Sequence, residues 1–263
     1  MPFDLDRLRR AGFLAQVDWH ETLGSTNDRA LKLAEEESLA TPLLVLAEEQ
    51  TAGRGRGSNR WWSGAGALTF SLVIEPDQVG TPLLRSEHWP RVALCAGVAL
   101  CESLGSLAPH LNLGLKWPND VQLAGKKIAG ILVEIPPARP PVPRRLVVGM
   151  GVNLNNSLLD SPDEVRQVGT ALCDVTGLEF DPTQLLLAWM SRFADLLEAL
   201  SQDDPTLPGR WQSRCVLTGR TLELQSGDRL VRGNCLGIAT DGALLLETPS
   251  GRESIYGGVL VRG

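Results

Sequence analysis

Residues 43–48 read Leu-Leu-Val-Leu-Ala-Glu, a short apolar run of the kind that fills a strand buried on both faces. Comparable runs, rich in β-formers or alternating, predict further strands at 17–21, 67–74, 113–117, 121–123, 128–135 and 146–154. Helical spacing appears at 27–37, where Ala30, Leu31 and Ala34 share a face and Ser25 or Thr26 can act as N-cap. A second helix, rich in Ala, Val and Leu, is expected at 88–104. Residues 162–200 look helical in pieces, with 184–200 the clearest amphipathic stretch. After Trp211 the period shortens: four β-like segments at 220–224, 230–238, 243–247 and 254–261 are separated by Ser226-Gly227-Asp228, Asp241-Gly242 and Ser250-Gly251. The expected fold is therefore α+β: a mixed, largely antiparallel sheet packed with helices over 1–212, then a small SH3-like β-barrel over 213–263. The five prolines of 136–145 predict an exposed hairpin tip inside the first unit.

Composition narrows the class. With 43% hydrophobic and 21% charged residues, the chain is that of an ordinary globular protein. The sequence shows no apolar run near the roughly 20 residues a bilayer span needs. The first residues mix acids with bases and have no continuous apolar core, so no signal peptide is expected and the protein is placed in the cytoplasm. Five scattered cysteines without a C-x-x-C pair suit reduced thiols in that compartment. A net charge of −6 argues against a general nucleic-acid coat, which would need a basic surplus. His20, His88 and His110 lack metal-ligand spacing. Lysine is scarce, four residues against a Lys+Arg total of 25, yet Lys116, Lys126 and Lys127 fall together.

Two segments have the composition of a charged site. Residues 49–66 hold five glycines and three arginines, too polar for regular structure. Within them, Gly53-Arg54-Gly55-Arg56-Gly57-Ser58-Asn59-Arg60-Trp61 matches neither a dinucleotide fingerprint nor a Walker A loop. Glycines free backbone N–H groups to approach an anion, and guanidinium groups grip phosphate in a fork. A solvated loop or an RGG-like nucleic-acid segment has the same composition. The second segment, Lys116-Trp117-Pro118-Asn119-Asp120, joins a cation to two oxygen-bearing side chains at a turn. A plain hairpin with Trp117 in the core reads the same way.

The ordered set of motifs separates these readings. SerThrAsn at 25–27, Gln50 before AlaGlyArgGlyArg, LysTrpProAsnAsp at 116–120, LysIleAlaGlyIleLeuValGlu at 127–134 and GlyValAsnLeu at 151–154 resemble the biotin protein ligase family. AspGlyAlaLeuLeuLeuGlu at 241–247 and TyrGlyGlyVal at 256–259 are similar to that family's C-terminal barrel, and the likeness runs from about residue 18 to the end. It departs at Ser58, where the family's loop carries glycine or another Arg-Gly pair. The resemblance implies ATP-dependent conversion of biotin to biotinyl-5′-AMP, with Mg²⁺, and transfer to a lysine of a biotin carboxyl carrier domain of acetyl-CoA carboxylase or a related enzyme. A carboxylate is already ionised near neutral pH, so the first step needs no general base. Catalysis then rests on positioning and charge neutralisation.

By motif position, the resemblance assigns catalysis to Lys116 and Arg56. It assigns biotin to Ser25, Thr26, Asn27, Gln50, Arg54, Gly55, Arg56, Lys116, Gly130 and Gly149. ATP and the adenylate fall to Arg56, Trp61, Lys116, Asn119, Lys127 and Asn153, and magnesium to Asp120. A lipoate or octanoate ligase shares this architecture, but the Gly/Arg loop with LysTrpProAsnAsp and the β-rich tail favour biotin. A biotin-responsive repressor would carry a helix-turn-helix, for which the 24 residues before Ser25 leave no room. The enzyme is expected to be a monomer or homodimer without nucleic-acid or membrane partners.

Overall fold

The computed structural model describes residues 2–76, 84–137, 139–159 and 161–262, and its strands pair into two sheets. The first contains β1 (Gln16–Leu23), β2 (Leu43–Gln50), β3 (Leu68–Ile74), β4 (Leu113–Lys116), β5 (Asp120–Leu123), β6 (Lys126–Glu134) and β7 (Leu146–Val152). Their spatial order is β1-β2-β3-β7-β6-β5-β4. The β1–β2 pairing is parallel and the others antiparallel, which gives the mixed, largely antiparallel sheet expected from the sequence.

Among the described residues seven α-helices accompany it: α1 (Leu5–Arg10), α2 (Thr26–Leu33), α3 (Trp89–Leu107), α4 (Asp163–Val168), α5 (Leu172–Thr176), α6 (Pro182–Ser201) and α7 (Leu207–Gln212). The uninterrupted apolar run in β2 follows from burial on both faces. Leu44 and Leu46 join the large core beneath α3 and α6, while Leu43 and Val45 meet Ala30 and Ala34 on the opposite side. Trp189 of α6 anchors the large core: it stacks on Phe193, meets Phe70 edge-on at 4.9 Å and donates its indole N–H to the Ala96 carbonyl at 3.0 Å.

Within Ser86–Leu107, mostly α3, an 18-residue window reaches a mean hydropathy of 1.2, so by length and composition this helix could cross a membrane. The sequence reading had found no such run. Most of this helix is buried between the sheet and α6, so its apolarity belongs to the core.

Other departures concern one helix end and two short helices. The expected 27–37 helix stops at Leu33 because Arg145 collects the chain end: its guanidinium donates to the carbonyls of Ala34, Glu36, Glu37 and Leu39 and pairs with Glu75. Arg145 closes the proline-rich 136–145 segment, which does join antiparallel β6 and β7; Ala138 lies outside the described residues. The helices α1 and α7, each six residues long, were not anticipated.

The second sheet has five strands rather than four: β8 (Thr221–Ser226), β9 (Arg229–Ile238), β10 (Leu244–Thr248), β11 (Gly251–Ile255) and β12 (Val259–Arg262), in the order β11-β10-β9-β8-β12. Residues 254–261 split at Tyr256-Gly257-Gly258, where the chain turns close against β8. A Cβ on Gly258 would lie 2.4 Å from Leu224 and 2.7 Å from the Gln225 carbonyl.

The sheets are tied together. Trp117 and Trp211 donate their indole N–H groups to the carbonyls of Gly242 and Ala239. The chain leaving α7 runs along the outer edge of β4, where the Leu115 N–H donates to Arg214 and its carbonyl accepts from Val216.

Candidate active site

A cleft of about 760 Å³ opens between the 51–66 loop, the start of α2, the β4–β5 turn, the middle of β6 and β7, α4 and the rim of the second sheet. All fifteen residues singled out from the sequence line it. The structure also shows how they are held, which the motifs did not.

At one end, Ser25 caps α2, with its hydroxyl accepting from the Asp28 N–H. The Gln50 amide oxygen accepts from the Thr26 backbone N–H at 2.8 Å and lies 3.2 Å from the Thr26 hydroxyl. Asn27 is buried; its amide nitrogen donates to Glu134 at 2.8 Å and to the Leu132 carbonyl at 3.3 Å, and its oxygen accepts from Ser71 at 2.5 Å. Asn27 lies directly over Gly149, where a Cβ would come within 1.8 Å of its amide oxygen. Glycine is required there by this approach and not by a turn.

The Gly/Arg loop is ordered by its own backbone. The Gly55 N–H donates to the Asn59 carbonyl, and the Trp61 N–H to Gly53. Arg54 is engaged in ion pairs with Asp28 at 2.6 Å and Glu134 at 2.7 Å. Its guanidinium is raised above the usual arginine value, first by the hydrogen bond to Glu134. Arg56 reaches in the other direction and donates to the Gly258 carbonyl of the second sheet. The loop thus bridges α2, β6 and β12.

Farther along, Trp61 lies across Gly151, and the Lys127 ammonium sits 5.6 Å from its ring centre, a cation–π arrangement. Lys127 also pairs with Asp120 at 2.7 Å and passes close to Gly130. Asn119 does not extend into the cleft as a free ligand. Its amide donates to the Ile131 carbonyl at 2.8 Å while its own carbonyl accepts from the Ile131 N–H, which clamps the β4–β5 turn onto β6. Asn153 is likewise tied, donating to the Thr170 carbonyl and accepting from Asn156.

Lys116 differs from these. It ends β4, lines the cleft, and its ammonium has no ion pair or hydrogen bond among the described residues. Of the basic side chains expected to meet an anion, Arg54 and Lys127 already have carboxylates, whereas the Lys116 ammonium is uncommitted. An anion entering the cleft therefore finds a lysine with nothing to give up.

Asp28, Ser71, Glu134 and Gly151 also position site residues; Glu134 and Gly151 fall inside the 127–134 and 151–154 motifs but had no site role from them, and Asp28 and Ser71 lie outside every motif. The close spacing of Gly149 and Gly151 on one strand was the signal available for a role of Gly151. Ser71 carried no signal inside an apolar strand.

Comparison with known proteins shows the family. Residues 19–153 match the biotin/lipoate A/B protein ligase family, to which the chain belongs, and residues 218–261 match the biotin protein ligase C-terminal domain. The chain is 32% identical over 243 residues to the bifunctional ligase/repressor BirA of Bacillus subtilis, covering 90% of this chain and 71% of that protein. It is 35% identical over 238 residues to the biotin--[acetyl-CoA-carboxylase] ligase of Paracoccus denitrificans, covering 88% and 94%. Among solved structures, the biotin protein ligase of Aquifex aeolicus in complex with biotin and ATP matches with a TM-score of 0.80 and 26% identity, over 95% of this chain and all of that one.

Proposed function

We propose that this chain is a biotin protein ligase. Biotin's carboxylate attacks the α-phosphorus of ATP, giving biotinyl-5′-adenylate and pyrophosphate. A carrier lysine then attacks the mixed anhydride, forming an amide and releasing AMP. The observation that carries the reading is the uncommitted Lys116 ammonium in a cleft floored by glycines. An unpaired ammonium there holds two anionic reactants together and stabilises charge developing between them, which is the main demand of a reaction needing no base in its first step. Arg56 adds a second charge from the loop.

The residues at the Asn27–Gln50 end would take biotin's bicyclic head, and those around Trp61, Lys127 and Asn153 the nucleotide. Asp120, expected as a magnesium ligand, is paired with Lys127, and no metal-holding cluster of acidic, His or Cys side chains occurs among the described residues. Magnesium would therefore arrive on the ATP phosphates and neutralise charge there, keeping its waters as that ion does. The partner is a carboxylase biotin-carrier domain, for which we propose that of acetyl-CoA carboxylase, in the cytoplasm. Residues 1–212 would perform catalysis while 213–263 supply the rim that Arg56 touches.

The reading is tested by offering biotin or lipoate with ATP and Mg²⁺ and following pyrophosphate release and acyl-adenylate mass. Biotinyl-adenylate alone supports it; lipoyl-adenylate would transfer the mechanism to another acid. In the same assay Gly149→Ala is expected to raise the biotin KM at least about tenfold, because the added methyl must displace Asn27. Its ATP KM should change little. An unchanged biotin KM would take Asn27 out of the biotin site.

A further inference from the structure

Glu134, the last residue of β6, touches no residue of the nucleotide end, yet it holds the opposite end of the cleft together. One carboxylate oxygen accepts from the Asn27 amide at 2.8 Å and from Arg54 at 3.1 Å; the other accepts from Arg54 at 2.7 Å. An ionised carboxylate can only accept. Asn27 must therefore turn its NH₂ toward Glu134, which leaves its oxygen for the Ser71 hydroxyl. Having given its one proton to Asn27, the Ser71 hydroxyl lies 2.9 Å from that of Thr26, whose own proton points to the Gln50 oxygen at 3.2 Å. The Gln50 oxygen is occupied by the Thr26 backbone N–H, so its NH₂ remains for the cleft. Glu134 and the Leu132 carbonyl thus orient Asn27 and, through it, Ser71, while the Thr26 backbone N–H orients Gln50. The same carboxylate fastens the loop through Arg54, with Asp28 gripping the other side of that guanidinium.

We propose that Glu134 is a positioning residue: it orients Asn27 and, through it, Ser71 at the biotin end of the cleft, and latches the 51–66 loop over it. This rests on the biotin-ligase reading for the substrate, though not for the latch. A ureido head carries one carbonyl acceptor flanked by two N–H donors, so it binds well only if the floor keeps a single hydrogen-bond order. A site built for such groups rejects mismatches strongly.

The test is Glu134→Gln, which keeps the shape, removes the charge and allows the new amide to donate. Loss of charged hydrogen bonds is expected to raise the biotin KM about tenfold to a hundredfold, while the ATP KM stays within about threefold. In the ligand-free protein, trypsin should cut after Arg54 and Arg56 at least about tenfold faster. A wild-type biotin KM together with a wild-type cutting rate would overturn the proposal. So would equal rises in both KM values accompanied by a large loss of thermal stability, since that describes a general packing role. If the unmodified protein makes no biotinyl-adenylate, the ligase reading fails, but the trypsin comparison still decides the latch.

Discussion

Lys116→Ala is expected to lower the rate of biotinyl-adenylate formation about a hundredfold to a thousandfold, the usual cost of deleting one group that stabilises charge in a transition state. Single-turnover pyrophosphate release measures it directly. Because Lys116 has no carboxylate or carbonyl partner among the described residues, its removal leaves no orphaned group, and the melting temperature should move little. Lys116→Arg is expected to recover only part of the rate: the position suits a compact ammonium, and a planar guanidinium spreads its charge elsewhere. A rate within about threefold of wild type in the alanine variant would move the catalytic charge to Arg56 or Lys127.

The second large effect is on folding. Arg145→Ala is expected to cost about 3–5 kcal/mol, the range for breaking a buried charged pair. The side chain is 1% exposed, pairs with Glu75, and serves four carbonyls between residues 34 and 39. Deleting it removes the donor for all of them at once and leaves a cavity between α2 and β7. Arg145→Met restores much of the volume but none of the donors, so it should remain destabilised by most of that amount. Urea unfolding of both variants gives the comparison; a loss under about 1 kcal/mol in Arg145→Ala would show that water replaces the guanidinium readily.

What could be read from the chain depended on how far apart the causes lie. The first seven strands were legible because burial on one or both faces writes itself into consecutive side chains, as in 43–48. The end of α2 was not, since its cap comes from Arg145, more than a hundred residues downstream. The break between β11 and β12 was missed because Tyr256-Gly257-Gly258 lies within an otherwise strand-like run. α1 and α7 are too short to show a periodicity.

The site divides the same way. Its fifteen residues came from motif order, and the fold brings them to one cleft. Their partnerships did not: Arg54 and Lys127 read alike as phosphate-seeking cations, but only contacts across the fold reveal that each already holds a carboxylate. That leaves Lys116 as the chemically available one, a distinction no local pattern contains.

The strip of chain at 214–216 that follows β4 has a practical consequence. Both hydrogen bonds of Leu115 go to it, and Leu115 immediately precedes Lys116. A boundary drawn by composition near 213 would therefore assign to the other unit a structural rail that steadies the lysine. Anyone exchanging the C-terminal unit between relatives would do better to splice after 216, keeping the rail with the sheet it serves.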